Sequence, residues 1–79
     1  MSRIEKLIQK IFARQQVSYQ DAEKILFELG YELKISGSHH IFRKAGHKHV
    51  TIKRRPQLLS YQIIDLQEVL RDHGIKEKI

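Results

Sequence analysis

The chain has 79 residues, no cysteine, and fifteen Lys and Arg against nine Asp and Glu, which gives a formal net charge of +6. A chain of this length forms one domain with a small core, and its charge favours an anionic partner such as RNA or DNA. The absence of cysteine excludes disulfides and thiolate metal sites. The sequence shows no signal peptide and no apolar run long enough to span a membrane, so we expect a cytoplasmic protein.

Three amphipathic helices are predicted. Apolar side chains recur at helical spacing over residues 3–14, 19–29 and 61–73. Ser18 and Ser60 stand where the second and third helices need an N-cap. A glycine follows each of these two helices, at the position where a left-handed backbone commonly ends a helix.

The middle of the chain changes from helical spacing to alternation. Residues 31–35, 39–43 and 48–53 alternate as strands do, and turn signals separate them. Short connections predict an antiparallel meander. The fold class is therefore α+β, a three-stranded antiparallel sheet packed on helices in the order α-α-β-β-β-α. The helices cover one face of the sheet, and the other face is left open.

The second predicted strand begins with two adjacent histidines, directly after a Gly-Ser turn. Successive side chains of a strand point to opposite faces. Either His40 and Phe42 face the core while His39 and Arg43 lie on the open face, or the reverse holds and Ile41 is buried. Phe42 is the largest apolar residue of this strand, so we expect the first arrangement.

A histidine on an open basic face suits metal-free RNA cleavage. That reaction removes a proton from a 2′-hydroxyl and delivers one to the leaving 5′-oxygen, and imidazole, with an unperturbed pKa of about 6.5, does either. The bland alternative is that His39 is an ordinary surface histidine. His47 and His49 would share a strand face if the third strand began that early, so a zinc site there is conceivable. No histidine spacing matches a known ligand pattern, however, and we predict no metal site and no cofactor.

The turn and the cations around it are predicted to bind phosphate. Glycine lets the backbone approach a phosphate closely, and a serine hydroxyl and amide can bind one. The predicted RNA-binding residues are Gly37, Ser38, Arg43, Lys44, Lys48, Lys53, Arg54 and Arg55. Binding through such cations is independent of base sequence and weakens with salt. For any single lysine, a merely solvated side chain is the alternative.

Several segments occur together in one order. They are the run Gly-Ser-His-His-Ile-Phe-Arg of residues 37–43, then Gly46, then His-Val-Thr-Ile-Lys-Arg of residues 49–54, then a helix ending in Leu70-x-x-x-Gly74-Ile75. This combination resembles the HicA toxin family of bacterial toxin–antitoxin systems, over residues 17–75. The resemblance implies a double-stranded-RNA-binding-domain-like fold and an mRNA interferase, an endoribonuclease that arrests translation and is held inactive by a HicB-like antitoxin.

The resemblance also assigns roles. It implies that His39, which follows Gly-Ser, is the catalytic histidine, in agreement with the strand argument. Where the family often has Pro-Arg-His after the third strand, this chain reads Lys53-Arg54-Arg55, so a second histidine is missing. Two other functions stay open, a non-catalytic RNA-binding module of the same fold and an interaction protein whose basic face docks an acidic partner.

The domain organisation follows from the same comparison. We expect a single HicA-like domain over residues 1–79, with the family core at 17–75 and an additional N-terminal helix within 1–16. The apolar face of that helix is expected to pack on this domain, on the antitoxin, or on a second copy of the chain, which would give a homo-oligomer.

Overall fold

Three helices and three strands follow one another in the predicted order, α-α-β-β-β-α. In the computed structural model, which describes residues 3–53 and 56–76, they are α1 (Arg3–Phe12), α2 (Tyr19–Glu28), β1 (Glu32–Ser36), β2 (His39–Arg43), β3 (Val50–Lys53) and α3 (Ser60–Asp72). The α+β class is thereby confirmed, while the likeness to double-stranded-RNA-binding domains stays a prediction. None of the helices in these two ranges is long and apolar enough to cross a membrane.

The sheet is an antiparallel meander in the order β1-β2-β3. Phe42 stands opposite Leu33 on one side and Val50 on the other, and Phe42 and Val50 are buried in the core. The strand β3 begins at Val50, two residues later than predicted, because the preceding residues form a loop directed at α3. The possibility that His47 and His49 share a strand face therefore does not hold.

The first helix packs on its own chain. Leu7, Ile11 and Phe12 are buried in the same core as the sheet and the other helices. The side-chain amide of Gln67 on α3 donates a hydrogen bond of 2.9 Å to the carbonyl of Ile11, and the guanidinium of Arg71 lies 5.5 Å from the centroid of the Phe12 ring. A homo-oligomer through α1 stays a prediction, but the apolar face that suggested it is packed within one chain.

Backbone geometry defines the helix ends. The Ser18 hydroxyl accepts a hydrogen bond of 3.1 Å from the amide of Asp21, as expected of the predicted N-cap. Gly30, with φ +95°, and Gly74, with φ +78°, follow α2 and α3 in the left-handed conformation. Arg14 takes the same role after α1 with φ +55°, a conformation that side chains other than glycine adopt at a cost.

The start of α3 differs from the prediction by one residue. Leu59, not Ser60, is the N-cap, and the Gln62 side-chain oxygen accepts a hydrogen bond of 3.0 Å from its amide. Ser60 is instead the first residue of the helix. The reason is packing. Leu58 and Ile63 are buried whereas Leu59 is 40% exposed, so Leu58 and Ile63 occupy the positions of a hydrophobic staple around a cap at Leu59.

Candidate functional site

A two-residue turn leads from β1 into the histidine strand. Ser36 and His39 are paired across it, which leaves Gly37 and Ser38 at the corner. Gly37 has φ +59°, and glycine at the first central position is typical of type II′ turns, whose twist matches that of the flanking strands. A Cβ added at Gly37 would meet no atom within 4 Å. The turn backbone is therefore open to a ligand.

His39 lies on the open face of the sheet, at the end nearest this turn. Its partners in register are Ser36 on β1 and Lys53 on β3, and all three residues are exposed. Residues directly opposite in antiparallel strands have Cβ atoms about 4.5–5.5 Å apart. Hydroxyl, imidazole and ammonium groups thus form one row, which we call the His39 row. It places an imidazole beside a positive charge.

Two further rows continue this face away from the turn. The middle row holds Lys34, Ile41 and Thr51, and the last row pairs Glu32 with Arg43. Arg43 and Lys34 are exposed, while Ile41 is half-buried. The predicted contact Arg43 is therefore on the face that carries His39. Sequence reasoning missed Lys34 because this lysine lies outside the cationic runs. Its pairing with Ile41 places it on the same face as His39.

His40 points to the core, as expected. It is 9% exposed, and its Nδ1 shares a hydrogen bond of 2.6 Å with the hydroxyl of Tyr19 at the start of α2. The two rings meet edge to face, with centroids 5.0 Å apart. The reverse arrangement, with Ile41 buried and His40 outside, is wrong. The imidazole of His40 can be buried in this strand because the buried hydroxyl of Tyr19 is hydrogen-bonded to it.

The remaining predicted cations are in three different situations. The ammonium of Lys44 donates a hydrogen bond of 2.6 Å to the carbonyl of Leu29, at the carboxyl end of α2. Lys44 is half-buried there, so part of its charge acts on the helix end. Lys48 is exposed in the loop between β2 and β3. Arg54 and Arg55 lie outside the described residues.

A second polar cluster lies at the other end of the sheet, and sequence reasoning missed it. Nδ1 of His47 donates a hydrogen bond of 2.5 Å to the carboxylate of Asp72. The ring of His47 is stacked on that of His73, with centroids 4.2 Å apart and planes 13° from parallel. Nδ1 of His73 in turn donates to the carbonyl of Val69 at 2.9 Å. His47 and Asp72 are 25 residues apart, so no local motif could indicate the cluster.

This cluster perturbs two ionisable groups. The hydrogen bond from His47 lowers the pKa of Asp72, against the opposing effect of desolvation. Burial raises the pKa of Tyr31, and the nearby charge of Asp72 raises it further. Tyr31 is buried in the core, with its ring centroid 5.5 Å from that of His73. The ring of Tyr31 is therefore part of the core packing.

Comparison with known proteins identifies the family. The family model of the HicA toxin of bacterial toxin–antitoxin systems matches residues 19–75, which contain the sheet, α2 and α3 but not α1. No curated protein and no solved structure gives a significant match. Because the matched range is well over half of the 79 residues, and because it contains the Gly-Ser-His turn and the open basic face, the chain belongs to the HicA toxin family.

Proposed function

We propose that this HicA-family toxin is an endoribonuclease that cleaves mRNA and thereby arrests translation, with His39 as general acid or base. Membership of the family supports the toxin role. The observation that carries the proposal is the His39 row, in which Ser36 and Lys53 flank His39 on the open face. A cationic group and an imidazole side by side on an exposed sheet match what cleavage of a phosphodiester requires.

The proposed reaction uses the RNA's own 2′-hydroxyl as nucleophile. A base removes its proton, the 2′-oxygen bonds to the adjacent phosphorus, and the bond from phosphorus to the 5′-oxygen breaks. An acid gives that oxygen a proton, so the products are a 2′,3′-cyclic phosphate and a 5′-hydroxyl. His39 supplies one of these proton transfers, worth about 10²–10⁴ in rate.

Lys53 is proposed to stabilise the phosphorane. Negative charge builds up on the non-bridging oxygens in the transition state, and a fixed ammonium beside the imidazole offsets that charge. Gly37 and Ser38 are proposed to bind a phosphate at the open turn. Arg43 and the arginines after β3 are proposed to hold the flanking phosphates, which orients the strand without reading its bases.

The test compares purified wild type with His39→Ala on a defined RNA, and His49→Ala serves as matched control because His49 is also an exposed histidine near β3. We expect cyclic-phosphate ends from wild type and control, and a rate about 10²–10⁴ lower for His39→Ala. A rate that rises with pH identifies His39 as the base, and a falling rate identifies it as the acid. Full activity of His39→Ala would reject this role.

Lys53 is tested by its charge. Lys53→Ala is expected to lower kcat about 10²–10³-fold, and Lys53→Arg to keep most of the rate because it keeps the positive charge. A rise in KM with unchanged kcat would show instead that Lys53 only binds RNA.

The second candidate function is a non-catalytic RNA-binding module of the same fold. The exposed cations of the open face favour RNA binding whether or not cleavage follows. Wild type that binds RNA yet leaves it intact over hours, free of antitoxin, would establish this function instead.

The partners follow from the family. Its toxins pair with an antitoxin, and we propose a HicB-like protein as the inhibitor of this chain. We further propose that it acts in the cytoplasm, where mRNA is translated. Covering the His39 row would suffice for inhibition, so we expect the antitoxin to protect the open face from the solvent.

A further inference from the structure

The cluster at the far end of the sheet has chemistry that the proposed ribonuclease does not use. His39 stands at the first residue of β2 and the cluster lies beyond its last residue, so at about 3.3 Å per residue the two are separated by well over 10 Å. One ligand atom each from His47, Asp72 and His73 lie within 4.8 Å of one another. Two imidazoles and a carboxylate form a donor set typical of Zn²⁺.

The tautomer of the His73 ring is fixed by its hydrogen bond. The carbonyl of Val69 can only accept, so Nδ1 of His73 carries a proton and Nε2 of the neutral ring bears the lone pair. Nδ1 of His47 and the carboxylate of Asp72 share a hydrogen bond, so a metal ion that binds both atoms takes the place of the proton between them. A histidine that donates one ring N–H to an oxygen and keeps the other nitrogen free is the usual arrangement of a metal ligand and its supporting group.

An unpaired buried nitrogen is the independent sign of a ligand. Nε2 of His73 is buried and has no hydrogen-bond partner among the described residues. Buried polar atoms are paired in the great majority of cases, and leaving one unpaired costs free energy. The atom is the free lone-pair nitrogen of His73, and it belongs to the ring on which His47 is stacked.

The surroundings are suited to a cation although the whole chain is basic. A groove of about 750 Å³ elsewhere is lined mainly by α1, whereas the groove of about 550 Å³ beside the cluster is lined by carboxylates of α3 and by loop histidines. Its titratable lining is Asp65, Glu68, Asp72, His47, His49, Lys48 and Tyr31. Three carboxylates on one helix face concentrate negative charge there.

From these observations we propose that His47, Asp72 and His73 form a binding site for a transition-metal dication, with Zn²⁺ as the fitting ion. Two stacked, parallel rings cannot both point a nitrogen lone pair at one ion. Metal binding therefore requires the two rings to separate. His47 turns on its loop, while His73 stays fixed by its bond to Val69. The ion then clamps the loop between β2 and β3 onto the end of α3, independently of His39.

The test uses the full chain without a histidine tag, dialysed against Zn²⁺. We expect one ion per chain, and an affinity at least tenfold lower for His73→Ala and for His47→Ala. His39→Ala is the matched control, because His39 lies at the opposite end of the sheet, and it is expected to bind Zn²⁺ as wild type does. Side-chain NMR on titration is expected to shift the ring signals of His47 and His73 and leave those of His39 unchanged.

A conservative variant guards against misfolding. Asp72→Asn keeps the shape of an exposed side chain and is expected to fold, as checked by circular dichroism, yet to bind Zn²⁺ more weakly. Three results would overturn the proposal. They are no Zn²⁺ binding by wild type, binding of several ions distributed over all five histidines, and unchanged binding by His73→Ala. None of these readouts depends on ribonuclease activity, so failure here leaves the proposed function standing.

Discussion

At the scale of single residues, one hydrogen bond secures the strand that carries the proposed catalyst. His40 is adjacent to His39 in β2 but faces the core, where it meets the hydroxyl of Tyr19. An apolar residue at this position would pack without needing a partner. The polar pair instead links β2 to the first turn of α2 at a single geometry, and it thereby fixes the strand on whose opposite face His39 stands.

Removing the Tyr19 hydroxyl is expected to destabilise the fold. Tyr19→Phe leaves the buried Nδ1 of His40 without this partner, at a cost of about 1–3 kcal/mol in the free energy of unfolding. Tyr61→Phe is the matched control, because Tyr61 is 57% exposed, and it is expected to change stability by less than about 0.5 kcal/mol. Urea unfolding measures both. Equal effects of the two variants would contradict this account.

The raised pKa of Tyr31 makes the stability of the fold depend on pH in the alkaline range. Burial raises its pKa above the ordinary 10.0, so the folded chain holds this proton more tightly than the unfolded chain does. The resulting stabilisation is fully present below the ordinary pKa and is lost as pH rises through the folded pKa. We expect the free energy of unfolding to fall over that window in wild type and to fall less steeply in Tyr31→Phe. Superimposable pH profiles would refute this.

At the scale of elements, the three helices end alike. After each helix, the amide two residues beyond the C-cap bonds back into the last turn, as Gln15 does to Lys10, Tyr31 to Leu26 and Ile75 to Leu70. This hydrogen bond requires a left-handed backbone conformation at the residue between the C-cap and the donor amide. The chain places glycine there after α2 and α3 but arginine after α1, so the helix that lies outside the family match also has the strained ending.

Replacing that arginine is expected to stabilise the chain. A left-handed conformation costs a residue with a Cβ about 1–2 kcal/mol, and the greater freedom of glycine in the unfolded chain returns about 0.5–1 kcal/mol of this. Arg14→Gly should therefore raise the free energy of unfolding by about 0.5–1 kcal/mol in urea titration. Arg14→Ala is the matched control, since it makes the same charge change and keeps the Cβ. A gain in both variants would point to charge rather than backbone strain.

At the scale of the whole molecule, charge is divided between faces. The open face of the sheet presents Lys34, Arg43 and Lys53, whereas carboxylates of α3 line a groove at the other end. The net charge of +6 therefore understates the contrast across the molecule. An RNA strand is drawn to one face, and the groove repels it.

The salt dependence of RNA binding reports which lysines contact phosphate. In the His39→Ala background, chosen because we expect it to cleave RNA slowly, Lys34→Gln is expected to reduce the slope of log affinity against log salt by about 0.7 for single-stranded RNA. Lys24→Gln removes the same charge from an exposed position on α2 and is expected to leave the slope unchanged. Fluorescence anisotropy over a salt series measures both. An equal change of slope in Lys34→Gln and Lys24→Gln would show that net charge alone governs RNA binding.

The fold follows from the sequence because its signals are local. Helical spacing, alternation and the Gly37 turn each act within a few residues, and together they predict the element order and the inward direction of Phe42 and His40. The N-cap of α3 is Leu59 rather than the predicted Ser60, because burial of Leu58 rather than local propensity sets the start of this helix. The cluster of His47 with Asp72 depends on contacts between distant segments, which no periodicity encodes.

The bond from Gln67 to Ile11 also bears on the order of events during synthesis. The two residues are 56 positions apart, so α1 leaves the ribosome well before the helix on which it packs. At a translation rate of about 5–20 residues per second, several seconds pass between the synthesis of α1 and that of α3. During that interval the apolar side chains of α1 can pack on α2 and on the strands that have already emerged. We expect the nascent chain to be most prone to aggregation and to chaperone binding before Gln67 emerges, and the core to be completed only after α3 has been synthesised.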